Sequence, residues 1–566
     1  MSSPSAEMAR RTWPDSRLLT GYSDPFAMIF VAALFIYLAL TLPTLTQPLL
    51  DLHTFRQCQT AISAEWLAAD LNPLRMPFYE TPVFGTPWRV PFEFPIFQWL
   101  AAVFNVVSGV AIGTACRSVS TAMHVACLFP LWRLAEPVAA MMMLEEPVEI
   151  VRRRFFWVMG SLFLLSPVLC YWSRTSLIES TAIYFGLEYL SAQMHWTRTG
   201  RWPSLLAATC FSVLACLVKI TSFPTFALAG LLYAALAARS AGRMQSAAVS
   251  RASSLAFSIV PLALGYVAIA QWVSFADSQK MLNPLASSTT SACLREWNYG
   301  TWQQRQSSDL WVDTVLLRGI PEAIGWIGPF ILLAGLWLSR PATRVITLTC
   351  VALFLVPFLM FTNLHIRHNY YQYAAAPWLV AALAVELTAG TTRLSPKLAT
   401  LLLTASLIGA GTVYGWTYFA WQRSSFTNDV RLEAMHALNT LTASEDVVVF
   451  FGFDWSSEWP FHSKRRGIAI TAGTASEMQK AIEQLPSLLG GRRLGAVVIW
   501  KGSPQFDLEA GWEPECVPVM LAAGRACAGE SAPVQVGPFV IFSAAANDGS
   551  ALPRAAGFLR TPAKSP

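Results

Sequence analysis

Charge is scarce in this chain. Asp, Glu, Lys and Arg make up 13% of its 566 residues, about half of the roughly 25% usual in soluble domains. The apolar residues, 54% of the total, gather in long blocks, which excludes an ordinary soluble globule. No two of the ten Cys stand in a CxxC pair, so zinc-ribbon and thioredoxin-type readings lapse. No Gly-rich phosphate loop joins a strand to a helix, which removes a nucleotide site. The chain also lacks an internal repeat, a broken span and a small-x-small cleavage site after its first apolar run. A basic N-terminus with Arg10, Arg11 and Arg17 followed by the apolar run 26–45 therefore reads as a signal anchor.

About eleven runs have spanning length. Threaded from a cytoplasmic N-terminus, they place Arg152–Arg154, Arg198, Arg201, Arg239, Arg243, Arg340, Arg344, Arg393 and Lys397 in short loops on one side, the positive-inside pattern. One of these spans covers 322–339. The apolar stretch 95–112 reads instead as a helix lying on the membrane, because counting it as a span inverts every later loop. The expected fold is thus a polytopic α-helical membrane protein with a small C-terminal extracytoplasmic α/β domain. Residues 1–25 form a cytoplasmic N-terminus, 26–423 a membrane module with a long first outer loop at 48–116, and 424–566 the outer domain. Strands are predicted at 447–451, 496–500 and 539–542, and helices near 428–441 and 475–489. Cys516 and Cys527 are either a disulfide of that compartment or two thiols. His462 to Arg466 reads as a solvated basic loop.

The first outer loop opens Asp51-Leu-His53-Thr-Phe-Arg56-Gln57-Cys-Gln-Thr60. At helical spacing His53, Arg56, Gln57 and Thr60 share one face, opposite an apolar face of Leu52, Phe55, Ile62 and Trp66. An interfacial helix with its polar side toward a cavity fits this. Asp51, at the head of it, is either a helix N-cap or a general base for an acceptor hydroxyl. Glu93 is either a partner for Arg56 or Arg89 or a substrate ligand. Arg174, Lys219 and Arg367 sit at three separate span ends, where cations are costly without anionic partners. If they converge they bind a phosphate. Glu179 could pair with Arg174. His368 and Tyr371 are candidates for hydrogen bonds to sugar or phosphate, although interfacial tyrosine is ordinary belt material.

The order of these features resembles the GT-C glycosyltransferases, in the branch of the protein mannosyltransferases and lipid A aminoarabinose transferases. The residues that carry the resemblance are Asp51 after the first span, Phe92-Glu93-Phe94-Pro95, Tyr171-Trp-Ser-Arg174 with Glu179, Lys219, and His365-Ile-Arg367-His368-Asn-Tyr-Tyr371. The resemblance implies inverting transfer of a sugar from a polyprenyl-phosphate donor, with Asp51 as catalytic base. It also implies substrate binding by His53, Arg56, Gln57, Glu93, Arg174, Glu179, Lys219, Arg367, His368 and Tyr371. The protein mannosyltransferases carry an Asp-Glu pair where this chain has Asp51-Leu52, which weakens the case for a protein acceptor. Glycolipid, polysaccharide and protein all stay open as envelope acceptors. The expected setting is the bilayer of a bacterial inner membrane, with the C-terminal domain in the periplasm and no nucleic-acid partner. No cofactor or metal cluster is indicated, although some GT-C enzymes use a divalent ion. A transporter or lipid flippase is the alternative, which related halves and broken helices would favour.

Overall fold

The computed structural model describes residues 24–239, 251–471, 474–501 and 515–544. The basic residues Arg10, Arg11, Arg17 and Arg243 lie outside them. Apolar runs punctuated by Pro and Gly form α1 (Pro25–Thr41), α2 (Thr54–Ala68), α3 (Ile96–Ser108), α4 (Ile112–Ala126), α5 (Leu128–Met142) and α6 (Val148–Leu165). They continue as α7 (Glu179–Thr199), α8 (Trp202–Lys219), α9 (Pro224–Arg239) and α10 (Arg251–Lys280). Pro stands at the first turn of α1 and α8, where its missing N–H costs nothing.

Seven helices among the described residues are long and apolar enough to cross a membrane, or up to eight if a bent pair counts as one. That pair, α11 (Asp309–Ile324) and α12 (Gly328–Leu338), turns by 88° and corrects the single span expected over 322–339. The turn is made at Gly325, with φ +71° and a backbone so close to the next helix that a Cβ would lie 2.4 Å from the Ala410 nitrogen. Only glycine meets both demands. Three further expected spans fall on α6, α7 and α9. Of these, α6 opens on Glu149 and Arg152–Arg154, α7 carries Glu179 and Glu188, and α9 has 16 residues. Helix α3, with 13 residues, is about 20 Å long and cannot cross a 30 Å core.

The membrane module closes with α13 (Pro341–Met360), α14 (Gln372–Arg393) and α15 (Pro396–Thr417). Helix α14 is its centre, with 89% of its most apolar stretch buried. Its one acidic residue, Glu386, accepts from Thr347 Oγ1 at 2.7 Å and from Ser339. Exposed Trp337, Trp416 and Phe330 on the outer helices are the side chains a lipid solvent would cover.

Beyond α16 (Val430–Leu441) the chain builds a five-stranded sheet in the order β2-β1-β3-β5-β4. Strands β1 (Val447–Phe451), β2 (Arg466–Ile470) and β3 (Leu494–Trp500) are parallel, and β4 (Val534–Val536) and β5 (Phe539–Ser543) complete it antiparallel. Both faces of β1 are covered, so its sequence is apolar throughout rather than alternating. Val447, Val449 and Phe451 pack with α18 (Ala475–Glu483) and α19 (Cys516–Ala528), and Val448 and Phe450 with α16 and with Trp459 of α17 (Glu458–Ser463). Cys516 and Cys527 stand at opposite ends of α19, about 16 Å apart along the axis. A disulfide tolerates about 7 Å, so they do not bridge each other.

The sheet is docked on the first outer loop. Its edge strand β2 is covered by Pro82–Phe84, whose carbonyls accept from Gly467 N at 2.9 Å and Ala469 N at 2.7 Å, which removes an exposed edge. The basic run before β2 corrects the solvated-loop reading. His462 Nε2 bonds Leu49 O at 3.3 Å, Lys464 pairs with Glu65, Arg465 bonds the carbonyls of Asn439 and Thr442, and Arg466 pairs with Glu80. A residue run that looks solvated in isolation is a row of staples once two segments face each other. Gly85 closes the joint with φ +84° and a site where a Cβ would lie 2.9 Å from Leu488 O. Gly85→Ala is expected to destabilise the docked state by about 1–3 kcal/mol, read as a lower melting temperature in detergent and faster proteolytic release of the C-terminal part. An unchanged melting temperature and cleavage rate would refute it.

Candidate functional site

The connection after α1 brings Asp51 under the outer loop, where its side chain is wholly buried. Its Oδ1 accepts from Gln57 Nε2 at 2.6 Å and Arg117 Nη2 at 3.1 Å, and its Oδ2 from Arg174 Nη2 at 2.5 Å and the Tyr171 hydroxyl at 3.3 Å. Both guanidinium groups are also buried. Arg117 is tied further to the carbonyls of Thr44 and Pro48, each at 3.2 Å, and Arg174 to Gln47 Oε1 at 3.1 Å. Burial raises the Asp51 carboxyl, but Arg117 and Arg174 outweigh it and hold the group below its ordinary 3.8. The N-cap reading of Asp51 is corrected, because α2 starts at Thr54 with His53 as its cap residue.

Arg117 escaped the sequence reading. An Arg in the first turns of an otherwise uncharged helix is the signal that could have found it. Arg174 does not converge with Lys219 and Arg367. It is closed on Asp51, Lys219 is bonded to Glu179, and Arg367 is exposed. The pairing of Glu179 with Arg174 is likewise corrected. Residues 173–178 are an irregular turn and α7 begins at Glu179, so the two side chains never share a helix face.

A second group surrounds Lys219, the last residue of α8. Its ammonium sits 4.0 Å from the Tyr371 ring centroid and 5.1 Å from that of Tyr370. Arg56 is bonded to Glu93 and lies 5.9 Å from the Phe92 ring, while Arg89 lies over Phe78 instead. The four charged side chains are 2–17% exposed, so this group is nearly but not fully closed.

His53 links the two groups. Its backbone is left-handed, φ 53° and ψ 43°, and its Nε2 is 3.1 Å from Asn369 Oδ1. Its ring centroid is 4.9 Å from Tyr370, 5.1 Å from His368 and 5.6 Å from Trp172. From the sheet, the loop after β1 brings Trp455 over the outer loop, stacked at 15° and 5.2 Å on Phe92 and edge-on to Phe55 at 5.3 Å. Trp455 thereby roofs Phe55 and Phe92 of the outer loop. It was missed because nothing in a strand-end Asp-Trp-Ser-Ser indicates which segment it will meet. Among the described residues no three His, Cys, Asp or Glu are grouped to hold a metal ion.

Ten of the eleven residues expected in the site stand in these contacts, Asp51, His53, Arg56, Gln57, Glu93, Glu179, Lys219 and Tyr371 among them, and Arg367 does not. Arg174 joins them as a partner of Asp51, and His368 as a neighbour of His53. Two solved structures share the arrangement of the chain that makes this possible. ArnT from Cupriavidus metallidurans bound to undecaprenyl phosphate superposes with a TM-score of 0.55 at 12% identity, over 91% of this chain and 98% of that one. The same ArnT in its apo state gives 0.53 at 13%, over 93% and 98%. The chain has the ArnT fold. No protein-family model matches it, and no curated protein matches its sequence. The ArnT-like fold accounts for the multi-pass membrane architecture. Within it, the outer loop, α4 and the turn before α7 meet at Asp51, and the outer loop, α8 and the approach to α14 meet at Lys219.

Proposed function

We propose that the protein is an inverting GT-C glycosyltransferase. It moves a sugar from a polyprenyl-phosphate donor to an envelope acceptor at the outer face of a bacterial inner membrane. The observation that carries this reading is the cluster of cations held nearly closed at the outer ends of the helices, in a fold whose neighbour was solved with undecaprenyl phosphate. Asp51 with Arg117 and Arg174 has a net charge of +1, and Lys219–Glu179 and Arg56–Glu93 are neutral pairs. The monoanionic phosphodiester of such a donor would meet Lys219 and Arg56, the cations of the group that is not fully closed, and they would stabilise the charge growing on the leaving phosphate. The opposite helix ends carry Arg152–Arg154, Arg198, Arg340 and Arg393, which supports a cytoplasmic assignment for that side and a periplasmic one for the sheet. Glycolipid, polysaccharide and protein are the acceptor classes.

The bent pair at Gly325 is a feature that the flippase alternative would also show, and here it is packed against Gly409 and Ala410. The test is transfer of radiolabelled sugar from a panel of polyprenyl-phosphate donors by purified protein in detergent, with membrane extract supplying acceptors. Label transfer is the expected result. No donor turnover, together with lipid translocation in vesicles, would replace this reading by the flippase.

A further inference from the structure

Helices α9 and α13 do not close on each other. A cleft between them reaches in to α14, with α5, α6 and α7 behind it, and holds about 970 Å³ of unfilled space, its open side included. Close-packed helices leave no gap of that size. Along α9 its wall runs from Phe226 to Leu236, about 15 Å of helix. Phe226 and Trp378, with rings 5.3 Å apart, stand at its outer end. Leu232, Leu236 and Val345 line it and are exposed, so it opens sideways to lipid in the half of the bilayer away from the sheet.

Two hydroxyls interrupt this apolar lining. Thr349 satisfies its own on the Val345 carbonyl at 2.8 Å. Tyr233 does not. Its side chain is buried, 4% exposed, and its hydroxyl has no hydrogen-bond partner among the described residues. An unpartnered buried donor is costly, and no water reaches it inside a bilayer. The inner rim of the cleft is cationic. Arg239, three residues beyond Leu236, is exposed and has no ion pair among the described residues. Arg344, next to Val345, bonds the carbonyls of Trp337 and Ser339. Arg198, one turn beyond Met194, pairs with Glu136 at 2.8 Å. The other carboxylate at this level, Glu386 beside Val385, is bonded by Ser339 and Thr347. Three guanidinium groups to two carboxylates leave one positive charge in excess.

We propose that the cleft binds one anionic glycerophospholipid of the leaflet away from the sheet. Its phosphate meets the arginine rim, an ester carbonyl accepts from the Tyr233 hydroxyl, and one acyl chain fills the cleft as far as Phe226 and Trp378. The spacing along α9 agrees. Tyr233 lies about 9 Å inside Arg239, which gives the order phosphate, ester, chain of such a lipid. A polyprenyl tail carries no acceptor for Tyr233, and on the transferase reading its phosphate sits at Lys219, beyond the contact of Phe226 with Trp378. The indole N–H of Trp378 stays unpartnered, as those of Trp172 and Trp196 do. The lipid braces α9 and α13 against α14, and its binding requires nothing of the chemistry at the outer ends.

The probe is phosphatidylglycerol, with phosphatidylethanolamine and undecaprenyl phosphate beside it, added to the delipidated full-length protein in detergent. Native mass spectrometry counts the bound lipid, and the melting temperature is followed in parallel. Wild type is expected to retain one phosphatidylglycerol saturably, about fivefold more tightly than phosphatidylethanolamine, and to melt higher with it. Ala229→Phe and Ala381→Phe fill the cleft from α9 and from α14. Each is expected to melt near lipid-free wild type, to retain none of the lipid and to gain nothing from its addition. Tyr233→Phe is expected to bind phosphatidylglycerol about three- to tenfold more weakly, the loss of one hydrogen bond. No saturable lipid on wild type, no preference for the anionic lipid, or wild-type affinity in a folded filled variant or in Tyr233→Phe would overturn the site. Filled variants that lose undecaprenyl phosphate as well would give the cleft to a donor tail and overturn the phospholipid.

Discussion

Asp51→Asn and Asp51→Ala are each expected to abolish transfer and to cost about 3–5 kcal/mol of stability, the range for removing one partner of a buried ion pair. The cause is what stays behind. Arg117 and Arg174, both buried, would face each other with no anion between them, and unpaired buried cations are far more costly than the pair is favourable. The effect should hold at every pH above the ordinary carboxylate range. A group whose folded pKa is depressed contributes its stability above its unfolded value, here 3.8, and loses it as the pH falls through the folded value. Thermal unfolding in detergent is the measurement, with Asp51→Asn/Arg117→Gln as the control. That double variant should recover part of the lost melting temperature and none of the activity, because it restores charge balance without restoring the clamp on Gln57 and Tyr171. A single Asp51→Asn variant that melts like wild type would remove the clamp from the account.

Lys219→Ala should be the other large effect, and for a related reason. It strands Glu179, whose side chain is 2% exposed and whose second carboxylate oxygen has no hydrogen-bond partner among the described residues. A loss of about 3–5 kcal/mol in stability is expected, with kcat/KM for the polyprenyl-phosphate donor reduced about 100-fold, as a lost charge-assisted contact would do. Lys219→Ala/Glu179→Gln separates the two. Stability should return and donor use should not. Return of both would make the pair a purely structural bolt, and an unchanged donor KM in the single variant would take the phosphate away from Lys219.

These predictions rest on residues whose visibility in the sequence differed. Helix positions, the membrane character and strands such as β1 were legible because they depend on local periodicity and on apolar run length. Those properties act over a few residues and are written in order along the chain. Asp51, His53, Arg56 and Gln57 could be singled out for the same reason, as polar residues at helical spacing in a loop too aromatic to be disordered. The partners were not legible. Asp51 is 66 residues from Arg117 and 123 from Arg174, and a charge in a sequence states its sign but not what it will meet. Glu179 is nearer to Arg174 in sequence but bonds Lys219, because an irregular turn rather than a helix separates the first two. The bend at Gly325, the stapling role of Lys464–Arg466 and the roof made by Trp455 have the same origin. Each is fixed by close approach between distant segments, through steric fit and ion pairing that exist only after the helices have packed. By itself, then, the sequence determined that this is a multi-pass membrane protein with a polar cluster at the head of its outer loop. The tertiary structure alone decided which charges are spent on each other, because desolvation makes every buried ion seek the nearest counter-ion in space.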